Sequence, residues 1–543
     1  EWITRTGDTF SRWAAPVAPQ VFALAAFAGG IILLLSGATP SLAGRLRILE
    51  WLVPLPILEA SHFLGSLAGV SLLFLARGLS RRLYKAWFLS ILLLASAVIL
   101  SLMKGLDYEE ASLLSLLLIA LAPSRKFFYR KTLLLEHPLS PNWTAAILLA
   151  LLVTAWVMTF SFRHVPYSHE LWLTFALKEQ ASRTLRATTG AVALALLALA
   201  ALLLRRTSRP QTPPSPVDLT AAEEVARRNP DTTAWLALLG DKRLLFNESR
   251  TAFVMFGREG RSFVALGDPA GPEMEGEELA WQFHEFVDRH AGWTVFYEVG
   301  RERLPLYIDL GLTLVKLGEQ ARVPLESFSL SGKGRKGLRG GVNRAEREGC
   351  RFEVIGPAEV PPLMEELRLI SDAWMAEKRT REKGFSLGYF HPDYLSRCPL
   401  ALVRLDGRIV AFTNLLQGGG KEELSSDLMR YLPVAPSGVM DFLFAELMSW
   451  GRAEGYRFFN LGMAPLSGLP QHALAPLWGR AGSLLFRHGE HFYNFQGVRD
   501  FKDKFDPVWE PRYLAAPGRV ALPLVLANVA TLLSRGWKGV VTK

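Results

Sequence analysis

The chain has 543 residues, half of them apolar, and carries a formal net charge of +10 with a sequence pI near 9.5. It is longer than one ordinary domain. Its two cysteines, Cys350 and Cys398, rule out a disulfide framework and a paired-cysteine metal site, which leaves two core thiols in a reducing compartment.

The chain opens at Glu1 without an initiating Met, and we expect a fragment that lacks an N-terminal portion. Up to about Leu204 it is dominated by Leu/Ala/Val runs. Six segments, around 16–37, 50–76, 84–103, 109–123, 142–162 and 187–204, reach or approach the ~20 apolar residues that cross ~30 Å of hydrocarbon. The fourth is short. The loops "RGLSRRLYK" (77–85), "SRKFFYRK" (124–131) and "RRTSR" (205–209) are basic, whereas "KGLDYEE" (104–110) is net acidic. The positive-inside rule then places the N-terminus and everything after the last span in the cytoplasm. Within the second span, Glu59 and His62 lie one helical turn apart, and ionisable groups at that depth pair with each other or line a lipid path.

The Pro/Ser/Thr-rich stretch 205–218 reads as a linker. Residues 219–345 alternate strand and helix: "AFVMFGR", "RSFVALGDP", the helical "EELAWQFHEFVDRHAG", then "WTVFYEV" and "LTLVKLGE". Residues 346–516 repeat the programme with "CRFEVI", a helix near 360–382, "LALVRLD", "RIVAFTNLLQ", "EELSSDLMR", the helix "SGVMDFLFAELMSWGRAEG" and "RFFNLG". Two successive α/β units of similar length suggest a duplicated fold, and 517–543 reads as a C-terminal tail helix.

At the junction, "SGKGRKGLRGGVNRAEREG" (331–349) has the glycine spacing of a phosphate loop. It lacks the following strand with its acidic residue and has no Walker lysine, so it reads instead as a basic helix with a glycine-loosened start. Six cations in fifteen residues, Lys333, Arg335, Lys336, Arg339, Arg344 and Arg347, suit a polyanion. A solvated surface helix is the bland alternative.

"KGLRGGVNRAEREG", "EGYRFFNLGM" and "GVRDFKDKFDPVWEPRYL" together resemble segments of tRNA-dependent aminoacyl transferases. With the upstream spans, the whole chain resembles the multiple peptide resistance factor family, the aminoacyl-phosphatidylglycerol synthases. The resemblance implies a multi-span α-helical membrane domain followed by a cytoplasmic α/β domain of two tandem GNAT-like acyltransferase folds. It also implies a lipid-translocating module that begins N-terminal to this chain. It implies aminoacyl-tRNA and phosphatidylglycerol as substrates, no cofactor and no metal, at the bacterial inner membrane. A homo-oligomer is among the expectations.

The resemblance assigns catalytic importance to Asp427 and Arg430 in "SSDLMRYLP". Three apart on an ideal strand they point to opposite faces, so a shared role requires the strand to end or bulge there. It places Lys502 of "FKDKF" at the reacting ester. Lys504, Arg499 and Asn460 are substrate-binding candidates beside it, and Lys333, Arg335, Lys336, Arg339 and Arg344 would follow tRNA phosphates. His488 and His491 are weaker candidates for a base, and Asp441 reads as a first-turn helix charge. The transferred group is alanyl or lysyl, with a slight lean to alanyl. An acyl-CoA-dependent transferase and a non-enzymatic flippase or polyanion-binding membrane protein are the rivals.

Overall fold

The computed structural model describes residues 17–39, 54–130, 141–161, 189–198, 213–378, 382–470, 472, 495–518 and 521–536. Two compact units result, an N-terminal one reaching Ser208 and a C-terminal one starting at Arg209.

In the first unit, α1 (Ala18–Ala38), α2 (Leu55–Ser80), α3 (Tyr84–Gly105) and α5 (Pro141–Ser161) are long and apolar enough to cross a membrane. The fourth expected span is α4 (Tyr108–Leu121), 14 residues running into a 3-10 turn, and the sixth is described as α6 (Thr189–Ala198). α4 is shorter than a full crossing and α6 borders residues outside the described ones, so four helices of spanning length stand among the described residues. Small residues let helices touch: a Cβ on Gly30 would lie 2.8 Å from the Gly69 carbonyl oxygen, and one on Gly69 equally close to that of Gly30. The "KGLDYEE" charges are partly internal. Lys104 Nζ donates to Glu110 Oε2 (2.9 Å) and Ser36 Oγ (2.7 Å), and Ser101 Oγ donates to Glu110 Oε1 (2.9 Å). The His62 side chain is buried, and that of Glu59 lies outside the described residues.

The second unit begins inside the expected linker. Ser215 caps α7 (Pro216–Arg228) in a reciprocal capping box with Asp218. Eleven strands then form one sheet: β1 (Arg243–Phe246), β2 (Phe253–Glu259), β3 (Ser262–Leu266), β4 (Trp293–Val299), β5 (Thr313–Pro324), β6 (Arg351–Ile355), β7 (Leu400–Leu405), β8 (Arg408–Gln417), β9 (Glu423–Tyr431), β10 (Phe458–Pro465) and β11 (Val508–Ala516). Their spatial order is β1-β2-β3-β4-β11-β5-β10-β9-β8-β7-β6.

The duplication is visible in the pairing. Each half leads antiparallel strands into one parallel pair joined by a crossover helix: β3 and β4 through α8 (Glu273–Arg289), and β9 and β10 through α11 (Val439–Ala453), with α9 (Lys336–Arg347) and α10 (Met364–Lys378) between them in the chain. Apolar faces hold the crossovers down. Phe283 and Val287 of α8 pack with Phe256, Phe263 and Phe296, and Phe442 and Phe444 of α11 pack with Leu424 and Phe459. Each such side chain contributes roughly 1.5–3 kcal/mol on burial.

The expected boundary between the units at 345/346 does not divide the sheet. β11, the last strand of the chain, inserts between β4 and β5 of the first half, while β5 also pairs with β10 of the second. Each half is thus completed by a strand of the other. α13 (Leu522–Leu533) follows, and its Val525 and Val529 fill the first half's core.

Candidate functional site

The two catalytic candidates on β9 are brought together by a β-bulge. β8 and β9 pair as Thr413↔Met429 and Leu415↔Ser426, so Asp427 and Leu428 both oppose Asn414. The extra residue turns Asp427 and Arg430 toward a common field, as the sequence required. Asp427 Oδ1 accepts from the Gly388 amide (2.8 Å) and Oδ2 from the Tyr394 hydroxyl (2.9 Å). Burial pushes its pKa up, against those two hydrogen bonds and the charges of Lys242 and Arg430. Gly388 is there for space: a Cβ would sit 1.8 Å from Asp427 Oδ2.

Arg430 is buried and pinned. One terminal nitrogen donates to both oxygens of Glu382 (3.2 and 3.0 Å), and the guanidinium lies 4.3 Å from the Trp374 ring centre. Its Nε has no hydrogen-bond partner among the described residues. Glu382 and Gly388 belong to one loop, 382–389, anchored at several points. The Phe385 amide donates to Asp241 (3.1 Å), whose other oxygen accepts from the fully buried Lys242, and the Gly384 amide donates to the Leu533 carbonyl (3.0 Å) at the end of α13.

"FKDKF" closes the helix α12 (Phe495–Asp503). The two lysines do not share a face. Lys502 is buried and donates to the Met463 carbonyl (2.8 Å), beside a bulge in β10 where Gly462 takes φ +79°. Burial lowers the Lys502 ammonium to about 7, with Glu298 pulling the other way. Lys504 lies beyond the helix and pairs with Asp441 (2.9 Å), which stands in the first turn of α11. Glu298 sits at a third bulge. β4 and β11 pair as Val299↔Tyr513 and Tyr297↔Leu514, leaving Glu298 extra at φ +66°. Its carboxylate accepts from the Ser386 and Tyr297 side chains, so the loop that holds Asp427 and Arg430 also reaches Glu298, whose pKa burial raises.

Other candidates are already engaged. Arg499 donates to Glu319 (2.8 Å) and Ser467 (2.8 Å) and stacks on Trp509. Asn460 donates to Glu423 (3.1 Å) and accepts from the Gly462 amide (2.8 Å), which shapes the β10 bulge. In the basic stretch, Arg335 donates to the carbonyls of Lys504 and Phe505, just past Lys502, and Arg339 donates to those of Leu330 and Gly332. Arg347 turns back on the Asn343 carbonyl. Lys333, Lys336 and Arg344 remain exposed. His488 and His491 lie outside the described residues.

A cavity of about 1090 Å³ opens at the carboxyl ends of β3 and β4, where ligands of α/β sheets bind. Nine carboxylates line it against five arginines and no lysine. Asp268 accepts from Tyr307 (2.6 Å) and the Gly300 amide (2.9 Å), and burial raises its pKa. Glu423 accepts from Thr232 (2.7 Å), and its pKa is likewise raised, chiefly by burial. No group of three or more metal-type side chains occurs among the described residues.

Sequence reasoning missed Glu298, Glu382, Gly388, Tyr394 and Lys242. "EKGFSLGY" (382–389), with its spaced glycines and charges between a helix and a turn, was the signal that could have pointed to the loop.

The family described as "Phosphatidylglycerol lysyltransferase, C-terminal" matches residues 222–516. A phosphatidylglycerol lysyltransferase of Bacillus subtilis is 32% identical over 533 residues, 95% of this chain, and one of Staphylococcus aureus is 37% identical over 276 residues, 51% of it. The chain spans 60% of the length of the first and 33% of the second. Among solved structures, the C-terminal domain of a putative lysylphosphatidylglycerol synthetase from Agrobacterium fabrum is similar at 44% identity and TM-score 0.54, covering 60% of this chain and 99% of that one. L-PGS from Bacillus licheniformis is similar at 39% identity and TM-score 0.53, with the same coverage. With its globular half matched across both acyltransferase-like folds and its apolar helices aligned as well, the chain belongs to the multiple peptide resistance factor family of phosphatidylglycerol lysyltransferases.

Proposed function

We propose that this chain transfers a lysyl group from aminoacyl-tRNA to a hydroxyl of phosphatidylglycerol at the cytoplasmic face of the bacterial inner membrane. The observation that carries the reading is Lys502: a buried ammonium lowered by burial to about 7, beside the β10 bulge, in the same sheet whose β9 bulge carries Asp427 and Arg430. The lipid hydroxyl attacks the ester carbonyl, a tetrahedral oxyanion forms, and the ribose hydroxyl leaves with the proton. An ester replaces an ester, so the step needs orientation and charge stabilisation more than driving force.

Lys502 stabilises the oxyanion, a role in which one donor is worth about 3–4 kcal/mol. Asp427 keeps lone pairs beyond its two hydrogen bonds and orients the lipid hydroxyl or accepts its proton. Arg430 offers its unpartnered Nε to the lipid phosphate. Lys333, Lys336 and Arg344 follow tRNA phosphates without reading sequence.

The carboxylate-rich cavity favours lysyl over alanyl, because a small apolar side chain has no use for that charge whereas a second ammonium does. The sequence lean to alanyl therefore gives way. Lysylation adds positive charge to an anionic headgroup, which weakens the attraction of cationic antimicrobial peptides to the leaflet. The test is to incubate membranes holding the chain with individually charged, radiolabelled tRNAs and separate the lipids. Labelled lipid from lysyl-tRNA supports the reading. Label from acyl-CoA alone, or none from any tRNA, removes it.

A further inference from the structure

Asn460, a substrate-binding candidate by sequence, is buried and engaged at both ends of its side chain. Nδ2 donates to Glu423 Oε1 (3.1 Å) and Oδ1 accepts from the Gly462 amide (2.8 Å). These partners fix which way the carboxamide faces. Flipped, it would set its oxygen against a carboxylate and its amino group against an N–H.

The Oδ1 bond closes an Asx turn onto the amide two residues on, and the strand bulges there. Asn460 pairs with Arg322 and Met463 with Gln320 on β5, so Leu461 and Gly462 together oppose Ala321. The parallel pairing with β9 ends at Asn460↔Ser425. Gly462 takes φ +79°, a conformation open to a residue without Cβ. The next carbonyl, that of Met463, accepts from Lys502 Nζ (2.8 Å), and a Cβ on Gly462 would lie 3.8 Å from the same nitrogen. Without the extra residue the register slips by one, which turns Met463 and its carbonyl the other way. At its far end Asn460 is held by Glu423, which accepts from the Thr232 hydroxyl (2.7 Å), pairs with Arg322 Nε (3.1 Å) and lines the acidic cavity.

We propose that Asn460 is a positioning residue for the transfer: by closing the turn that bulges β10 it holds the Met463 carbonyl where Lys502 docks, and its bond to Glu423 ties that carbonyl to the cavity wall. The inference rests on the role given to Lys502 under the proposed function. Asn460 then touches neither substrate, and losing its amide slows the chemical step without weakening the binding of lysyl-tRNA.

Two variants attack the bulge independently. Asn460→Ala removes both hydrogen bonds, whereas Gly462→Ala keeps them and strains the left-handed backbone, with ordinary contact at 3.8 Å. Asn460→Asp keeps the Oδ1 acceptor, and one proton shared with Glu423 restores the donor. In the full membrane-embedded chain, single-turnover lysylation and the KM for lysyl-tRNA are measured. Lys502 is followed in parallel by amine labelling and mass spectrometry of its peptide. Both alanine variants are expected to lose about 10–100-fold in rate with KM little changed. Lys502 is labelled several-fold faster in both as it leaves the carbonyl, and Asn460→Asp stays close to the parent. A raised KM at the parent rate in Asn460→Ala overturns the inference in favour of substrate binding. Lys502 labelled as in the parent in both alanine variants overturns it too, however much the lipid yield drops. A parent that makes no lipid, with labelling still raised in the variants, overturns the transferase reading and leaves the link from Asn460 to Lys502 standing.

Discussion

The two parallel strand pairs of the sheet share one topology and differ in charge. Each is joined by a crossover helix and carries a bulge near its carboxyl end, Glu298 in β4 and the Asp427–Leu428 bulge in β9. Around the first pair the charged lining of the cavity is mostly carboxylate, with Asp268 and Glu298 at the ends of β3 and β4 and Glu423 reaching it from the start of β9. Around the second, Arg430 and Lys242 lie near Asp427 while pairing with Glu382 and Asp241. The first surrounding is an open acidic cavity and the second a closed network of ion pairs. The exchange of β5 and β11 holds both regions in one sheet, and Lys502 is fixed to the Met463 carbonyl of β10.

The strongest way to break this contrast is to remove Lys502. Lys502→Met is expected to lower lipid product by about 10²–10³-fold in single-turnover assays while raising stability. The Lys502 pKa falls on folding from the ordinary lysine value to about 7, so the unfolded chain holds the extra proton from about pH 7 to 10 and stability rises with pH there. The Met variant loses that slope and melts several degrees higher at neutral pH. Thermal unfolding across pH checks both signs, and a lower melting temperature contradicts the burial argument.

Gly388→Ala tests the Asp427 bulge alone. A methyl group 1.8 Å from Asp427 must push the carboxylate or the loop aside, and we expect a 10–100-fold loss in kcat with lysyl-tRNA KM little changed. A substantial KM change instead would mean that the loop serves the other substrate. Asp268→Asn tests the acidic cleft and should raise KM for lysyl-tRNA several-fold while improving discrimination in favour of alanyl-tRNA. Equal effects on both tRNAs would remove the cavity from amino acid choice. The smallest effect is expected from Lys333, Lys336 and Arg344 changed to Glu, with a weaker tRNA interaction and a shallower salt dependence. Changing Arg335 instead should disturb the Lys502 helix, because its guanidinium caps carbonyls just beyond that lysine.

Local signals carried much of this into the sequence. The apolar runs marked the long apolar helices, although α4 proved short because length, not hydropathy, sets a crossing. The three-residue spacing of Asp427 and Arg430, followed by Pro433, asked for the strand to end or bulge if the two were to share a site, and β9 bulges. What stayed hidden depends on long-range pairing. Nothing near Val508–Ala516 indicates that this strand inserts into the first half, nearly two hundred positions from its partners on β5. Glu298 reads as an ordinary strand residue until the register with β11 leaves it extra. Arg335 and Arg339 look like ligands for a polyanion, yet they are tied to loop carbonyls, which a charge count cannot reveal.

The most direct measurement is single-turnover transfer from radiolabelled lysyl-tRNA to phosphatidylglycerol by the membrane-embedded chain, followed across pH 5 to 9. The account predicts labelled lipid whose rate falls as pH rises through about 7, and a Lys502→Met variant with neither the rate nor the limb. Labelled lipid from Lys502→Met at the parent rate, or a parent rate flat through neutrality, would contradict it.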